Sequence, residues 1–263
     1  MLKNFQYLSS TISYSIFGKG KPVMLLHGFG EDSAIWQKQI EALKDKFLII
    51  TPDLPGSGNS EFLQKENVQL DDYAALIKEI LLQEKIEKIT LIGHSMGGYI
   101  TMAFAEKYPE LLTAFGLFHS TATADDDEKI ATRKKAIEFI QQNGSQAFLK
   151  TIIPGLFMDA GASAGAIKQL IEKAVSFKKE VLVQYYRAMI NRPDRTAILK
   201  NASVPVLFII GVHDKVVPFN VIMQQTHLPQ ISFIHILQQA AHMGMLEETE
   251  NANKILTDFL ESC

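Results

Sequence analysis

The sequence predicts an α/β fold built on a mostly parallel sheet, and three observations carry that prediction. Short apolar runs alternate with segments of helical periodicity along most of the 263 residues; that alternation is the signature of strands joined by helical crossovers. The alternation lapses once, between about residues 121 and 201, and then resumes. Finally, Gly93, Gly97 and Gly98 crowd around Ser95 in "LIGHSMGGYI", where an apolar run gives way to a helical pattern.

In chain order, "FQYLSS" and "TISYSIF" alternate in polarity and are joined tightly, which predicts an antiparallel hairpin. "PVMLL" follows as a buried strand. Ile35, Trp36, Ile40 and Leu43 then share one helical face. "FLIITPDL" is short and continuously apolar, as expected of a strand covered on both faces. Tyr73, Leu76, Ile77, Ile80 and Leu81 recur at helical spacing, "KITLIGHS" returns to strand, and a helix from Met96 runs until Pro109. The sixth strand is "LLTAFGLFHS"; "VLFIIG" and "ISFIHIL" complete eight, and a helix through Ile255, Phe259 and Leu260 closes the chain. The interrupted stretch reads as three or four helices, through Ile137 and Ile140, through Leu170, Ile171 and Ala174, and through Leu182, Tyr185 and Met189. The expected division is thus a core of residues 1–120 and 202–263, with a helical insert at 121–201 after the sixth strand. "GASAG" at 161–165 is expected to be a flexible joint within it.

Composition narrows the function. Net charge is −3, and no long basic block occurs. Nucleic acid and anionic membrane surfaces, which bind clustered Lys and Arg, are therefore not expected partners. The short "RKK" at 133–135 reads as a solvated helix face. Cys263 is the sole cysteine, so there is neither an intramolecular disulfide nor a thiolate metal cluster. No apolar run approaches the ~18 residues of a membrane span, and no signal-peptide core is evident. The expectation is a cytoplasmic protein; oligomeric state is not legible.

The residues that carry chemistry fall at predicted strand ends, where parallel α/β sheets bind ligands. Gly93-His94-Ser95-Met96-Gly97 is a G-x-S-x-G between strand and helix, a context that exposes the serine hydroxyl on a strained turn. A serine needs a base and an orienting acid to become a nucleophile. Asp214 follows "VLFIIG" and His242 follows "ISFIHIL", giving the order serine, acid, histidine. Acyl transfer also requires donors for an oxyanion. The amides of Met96 and of Phe29, in "HGFG" after the third strand, are the expected pair, with His27 bracing that loop. Around them His119, Phe157, Tyr185 and Met189 are the expected substrate-pocket residues. No charged side chain marks a recognition site, so a mostly uncharged substrate is expected.

These motifs resemble the α/β-hydrolase fold superfamily, in its branch of small esterases, enol-lactonases and haloperoxidase- or perhydrolase-like proteins. "HGFG", Trp36, "DLPGSGNS", "GHSMGG", "GVHDKVVP" and "AAHMGMLE" carry the resemblance. It implies Ser95 as nucleophile, Asp214 as acid, His242 as base, Phe29 and Met96 as oxyanion donors, and no cofactor or metal. Some members of that superfamily take the acid from the loop after the sixth strand, which makes Asp125 to Asp127 the alternative source of the carboxylate that the resemblance implies. It also implies that Asp53, Gly56, Gly58 and Ser60 form a structural loop and that the insert is a cap. Relatives that open epoxides or remove halides resemble this chain but carry aspartate at the position of Ser95. The expected activity is hydrolysis of a small carboxylic ester or lactone. A lyase or C–C bond hydrolase using the same three residues, or a ligand-binding protein on this scaffold, is the alternative.

Overall fold

A computed structural model describes residues 1–263. Strands β1 (Leu2–Tyr7) and β2 (Ser10–Phe17) form the antiparallel hairpin. Next come β3 (Lys21–Leu26), α1 (Gln37–Leu43), β4 (Phe47–Pro52), α2 (Leu70–Glu84), β5 (Ile89–His94), α3 (Met96–Lys107) and β6 (Leu112–Phe118). The insert contributes α4 (Asp127–Asn143), α5 (Ser145–Ile152), α6 (Ala164–Lys173), α7 (Lys179–Ile190) and α8 (Thr196–Lys200). Then β7 (Val206–Gly211), α9 (Phe219–Met223), β8 (Ser232–Leu237), α10 (Gly244–Glu247) and α11 (Thr249–Ser262) complete the chain.

The eight strands form one sheet in the order β1-β2-β4-β3-β5-β6-β7-β8. Only β2 runs against the others, because it pairs antiparallel with both β1 and β4. Burial follows position in the sheet. Every residue of central β5 and β7 is buried, whereas edge strand β1 alternates between exposed and half-buried. That is why the central strands read as continuous apolar runs and the edge strand as an alternating one. The chain steps from β3 outward to β4 and then crosses back to β5, so the ends of β3 and β5 flank the point where the winding direction reverses. A crevice forms at such a point.

No strand interrupts residues 119–205. The insert holds five helices; α5 and α8 are too short to announce themselves by periodicity. One contiguous apolar core runs from the sheet through Ile140, Leu149, Leu182 and Tyr185, so the insert packs onto the sheet. The "GASAG" tract is a turn leading into α6: Asp159 Oδ1 accepts from the amides of Gly161 (2.8 Å) and Ala162 (3.0 Å), and Gly165 lies inside the helix. The loop after β4 is architectural, as expected. Asp53 accepts from the Ser33 and Asn59 amides at 3.0 and 2.8 Å, and its carbonyl accepts from Ser60 Oγ at 2.6 Å. No helix is long and apolar enough to cross a membrane.

Candidate active site

Ser95 joins β5 to α3 with φ of +50° and ψ of −115°, a conformation that non-glycine residues adopt only under compulsion. The flanking glycines supply the compulsion. A Cβ on Gly93 would fall 2.2 Å from the backbone of Gly97, and one on Gly97 would fall 2.5 Å from the carbonyl oxygen of Leu26. Helix α3 therefore starts against β3 and β5 more closely than any side chain permits. The Ser95 amide donates to Phe118 (3.0 Å), and its carbonyl accepts from Ser120 Oγ (2.7 Å), which pins the turn from both sides.

The three residues read from the sequence converge here. His242 Nε2 lies 2.9 Å from Ser95 Oγ, and His242 Nδ1 lies 2.8 Å from Asp214 Oδ2. Asp214 Oδ1 also accepts from the amides of Val216 (2.8 Å) and Val217 (3.0 Å). Burial alone would raise the Asp214 pKa; the charge and hydrogen bond of His242, with help from His119 and the Val217 amide, bring it instead to about 2. An ionised carboxylate accepts only, so Nδ1 carries the proton and Nε2 is left to accept from the serine hydroxyl. His242 Nδ1 is thus taken by Asp214. Of the acids at 125–127, Asp125 pairs with Arg133 and Arg192, Asp126 caps α4 through the Lys129 amide at 2.7 Å, and Asp127 is the first residue of that helix.

The amides of Met96 and Phe29 donate to no acceptor within the protein. Met96 follows Ser95 directly. The loop bearing Phe29 is packed onto the serine, since a Cβ on Gly28 would lie 3.3 Å from that of Ser95. His27 holds this loop: Nε2 accepts from the Leu54 amide (2.9 Å) and Nδ1 donates to the Gly28 carbonyl (2.9 Å).

Two side chains, Glu31 buried and Glu247 half-buried, support the array without having been read from the sequence. Glu31 Oε2 accepts from the Gly28 amide (2.7 Å) and from His94 Nδ1 (3.0 Å), while His94 Nε2 donates to the His242 carbonyl (2.9 Å). Glu247 accepts from the Ala241 (2.9 Å) and Met243 (3.2 Å) amides on either side of His242. Its other oxygen accepts from the Met158 amide (2.6 Å) in the insert. Glu31 stands directly after "HGFG" and Glu247 ends "AAHMGMLE", so proximity to a motif was the available signal.

A family model described as "alpha/beta hydrolase fold" matches residues 21–134. A putative 2-succinyl-6-hydroxy-2,4-cyclohexadiene-1-carboxylate synthase of Bacillus subtilis is 30% identical, with 97% of each chain covered. The chain belongs to the α/β-hydrolase fold family. Among solved structures, a thermophilic esterase from Thermogutta terrifontis superposes with a TM-score of 0.90 at 27% identity, over 96% of this chain and 94% of that one. An uncharacterized protein of Mycobacterium tuberculosis is 31% identical over 155 residues, 59% of this chain; the match spans only 43% of that protein's length.

In this α/β-hydrolase the insert covers the array, leaving Ser95 only 9% exposed. The His242 amide donates to Leu156 of the insert at 2.9 Å. Beside the array lies a cleft of about 590 Å³, walled in part by Thr121, Phe148, Ile152, Tyr186 and Val216. Thr121 follows the Ser120 that holds Ser95, Val216 donates to Asp214, and the Tyr186 ring stacks on Phe29 with centroids 4.3 Å apart. A groove of similar size, about 570 Å³, between residues 62–68 and helices α4 and α7, includes none of these residues.

The four expected pocket residues do not form the wall of this cleft. His119 is fully buried behind the array, its ring nitrogens 3.1 Å from the Gly211 and Gly244 amides and Nδ1 3.7 Å from Asp214 Oδ2. Burial holds its pKa well below the usual value, so it is a neutral packing group. Tyr185 directs its hydroxyl to the Pro55 carbonyl and Ser57 Oγ, both at 2.9 Å, fastening α7 to the loop after β4. Met189 accepts from Arg133 Nη1 at 3.4 Å, and Phe157 is buried next to Leu156. Adjacent helical residues point about 100° apart, so it is Tyr186 and not Tyr185 that faces the cleft. Arg133 also departs from expectation: it is 9% exposed, whereas Lys134 and Lys135 are exposed.

Proposed function

We propose that the protein is a serine hydrolase that cleaves a small carboxylic ester or lactone through an acyl-enzyme. The observation that carries this reading is the continuous chain Asp214–His242–Ser95, with contacts of 2.8 and 2.9 Å, ending on a serine held at positive φ. His242 Nε2 takes the proton of Ser95 Oγ as that oxygen bonds to the substrate carbonyl carbon. The Met96 and Phe29 amides receive the oxyanion, each worth on the order of 10²–10³ in rate. As the carbonyl re-forms, the C–O bond to the leaving alcohol breaks and His242 returns the proton to that oxygen. Water, deprotonated by His242, then attacks the acyl-enzyme by the same sequence, releasing the acid and restoring Ser95. The step needs no metal or cofactor, and the likeness to an esterase over almost the whole chain supports it.

A second reading is a lyase reaction in which Ser95 and His242 remove a substrate proton in an elimination; the Bacillus subtilis relative, named as a putative synthase and not as a hydrolase, is the reason to keep it. A fluorophosphonate probe followed by intact-protein mass spectrometry, run beside a panel of p-nitrophenyl esters and lactones, separates the two. One adduct on Ser95 together with ester turnover is expected. Adduct formation without turnover of any panel member moves the reading to the elimination, and folded protein without adduct overturns both.

A further inference from the structure

The cleft holds a charge that the protein leaves unbalanced. Arg133 from α4 and Arg192, just after α7, both line it, and they share the single carboxylate of Asp125, whose side chain is fully buried. Arg133 Nε and Nη2 donate to Asp125 at 2.6 and 3.4 Å, and Arg192 Nη2 meets the same carboxylate at 2.9 Å. The remaining Arg192 hydrogen bonds go to the carbonyls of Thr123 (3.1 Å) and Met189 (2.9 Å), and its guanidinium lies 4.0 Å from the centroid of the Tyr99 ring; none of these partners brings a negative charge. Two guanidiniums against one carboxylate leave one surplus positive charge, at residues only 9% and 6% exposed. A buried charge without a counter-ion is costly. The other charged groups on the wall do not supply one: Lys129 and Lys215 stand against Asp126 and Glu128.

Donors remain to receive an anion. A guanidinium carries five N–H groups, and the contacts named above and the Met189 sulfur engage three on each, leaving two on each free. The pair also adjoins the reacting centre. The Arg133 guanidinium lies 5.5 Å from the centroid of the Tyr186 ring, and that ring stacks on Phe29, the oxyanion-loop residue. Burial pushes the Tyr186 hydroxyl up to about 12, against the opposing pull of Arg133, so it stays protonated as a further donor.

We infer that Arg133 and Arg192 form a carboxylate-binding subsite, and that the substrate is an ester or lactone bearing a second, ionised carboxyl group. A carboxylate matches the planar fork of a guanidinium, and its single charge matches the single surplus charge. A phosphate dianion would overshoot it beside Asp126 and Glu128. This substrate class rests on the acyl-transfer reading of Ser95, although the subsite is testable without it. It replaces the uncharged substrate expected from the sequence, where Arg133 passed for a surface residue.

The test pairs near-isosteric esters, p-nitrophenyl pentanoate and mono-p-nitrophenyl glutarate. In the wild-type protein kcat/KM for the glutarate half-ester exceeds that for the pentanoate by at least about tenfold, and Arg133→Gln or Arg192→Gln lowers that ratio about tenfold. Loss of packing alone moves both substrates together and leaves the ratio unchanged. A wild-type ratio near or below one, or a ratio unmoved in folded variants, overturns the subsite. In parallel, Ser95→Ala protein is titrated calorimetrically with glutarate and with glutaramide. Binding of glutarate alone supports the subsite even if neither ester is cleaved, an outcome that would sink only the hydrolase reading. Equal binding of both, or of neither, overturns it. Should the arginine variants fail to fold, the wild-type ratio and the titration decide.

Discussion

His94 and Glu31 form an ion pair buried directly behind the Ser95–His242–Asp214 array, with Nδ1 3.0 Å from Oε2 and both residues at most 5% exposed. The other ring nitrogen of His94 meets the His242 carbonyl at 2.9 Å. A carboxylate and a carbonyl can only accept, so both ring nitrogens carry protons and His94 is an imidazolium. The pair ties three loops together: Glu31 holds the Gly28 amide of the loop bearing Phe29, His94 belongs to the turn that carries Ser95, and the His242 carbonyl belongs to the loop after β8.

Breaking this pair from one side is predicted to be more damaging than removing it whole. Glu31→Gln or His94→Gln alone leaves a buried charge without its partner, which costs about 3–5 kcal/mol. The double variant is expected to lose less than the sum of the two. Urea unfolding of the four proteins in a cycle measures the coupling, and simple additivity would refute the pairing.

The same pair gives stability a bell-shaped dependence on pH. Burial would lower the His94 pKa, but the Glu31 charge and hydrogen bond, with the His242 carbonyl, raise it above the usual value. Its contribution is full below the unfolded pKa of about 6.5 and fades as pH rises through the higher folded value. Burial likewise would raise Glu31, but His94 and the Gly28 amide lower it. Its contribution is full above the unfolded pKa of about 4.3 and fades as pH falls through the lower folded value. Relative to the double variant, wild-type Tm is therefore expected to peak between about pH 4.3 and 6.5. A flat difference across pH 3 to 9 would argue against the charged pair.

Asp214→Asn is expected to keep the fold and lower ester kcat by about 10⁴. The asparagine oxygen can still accept from Val216 and Val217, but its amide group favours the wrong His242 tautomer. Circular dichroism and steady-state turnover check both halves. Near-normal turnover would place the acid elsewhere.

Glu247→Ala is expected to lower kcat on the order of 10², with KM changing less. The side chain touches no reacting atom; it holds the amides of Ala241 and Met243, and with them the direction of the His242 ring. Glu247→Gln, which retains one acceptor oxygen, should recover part of the rate. Equal losses in the two variants would count against a positioning role.

Much of this protein was legible from its sequence, because the informative residues act locally. A G-x-S-x-G between an apolar run and a helical pattern dictates a tight turn wherever it occurs, and the structure shows Ser95 at φ +50° with no room for a Cβ at Gly93 or Gly97. Asp214 and His242 could be singled out as candidates because parallel strands direct their following loops to one edge, and the structure brings both side chains to Ser95. The eight strands and the opening hairpin followed from the same periodicities, whereas their order in the sheet did not. What only the tertiary structure decided was how the insert lies on the sheet. Tyr185 and Tyr186 are alike in sequence, yet one is bonded to Pro55 and Ser57 and the other stacks on Phe29. Arg133 sits in a run of three basic residues and is the one turned inward, meeting Asp125 and Arg192 from other segments. Periodicity fixes which face of a helix is buried but not what that face meets, and burial of a charge depends on partners far away in the chain.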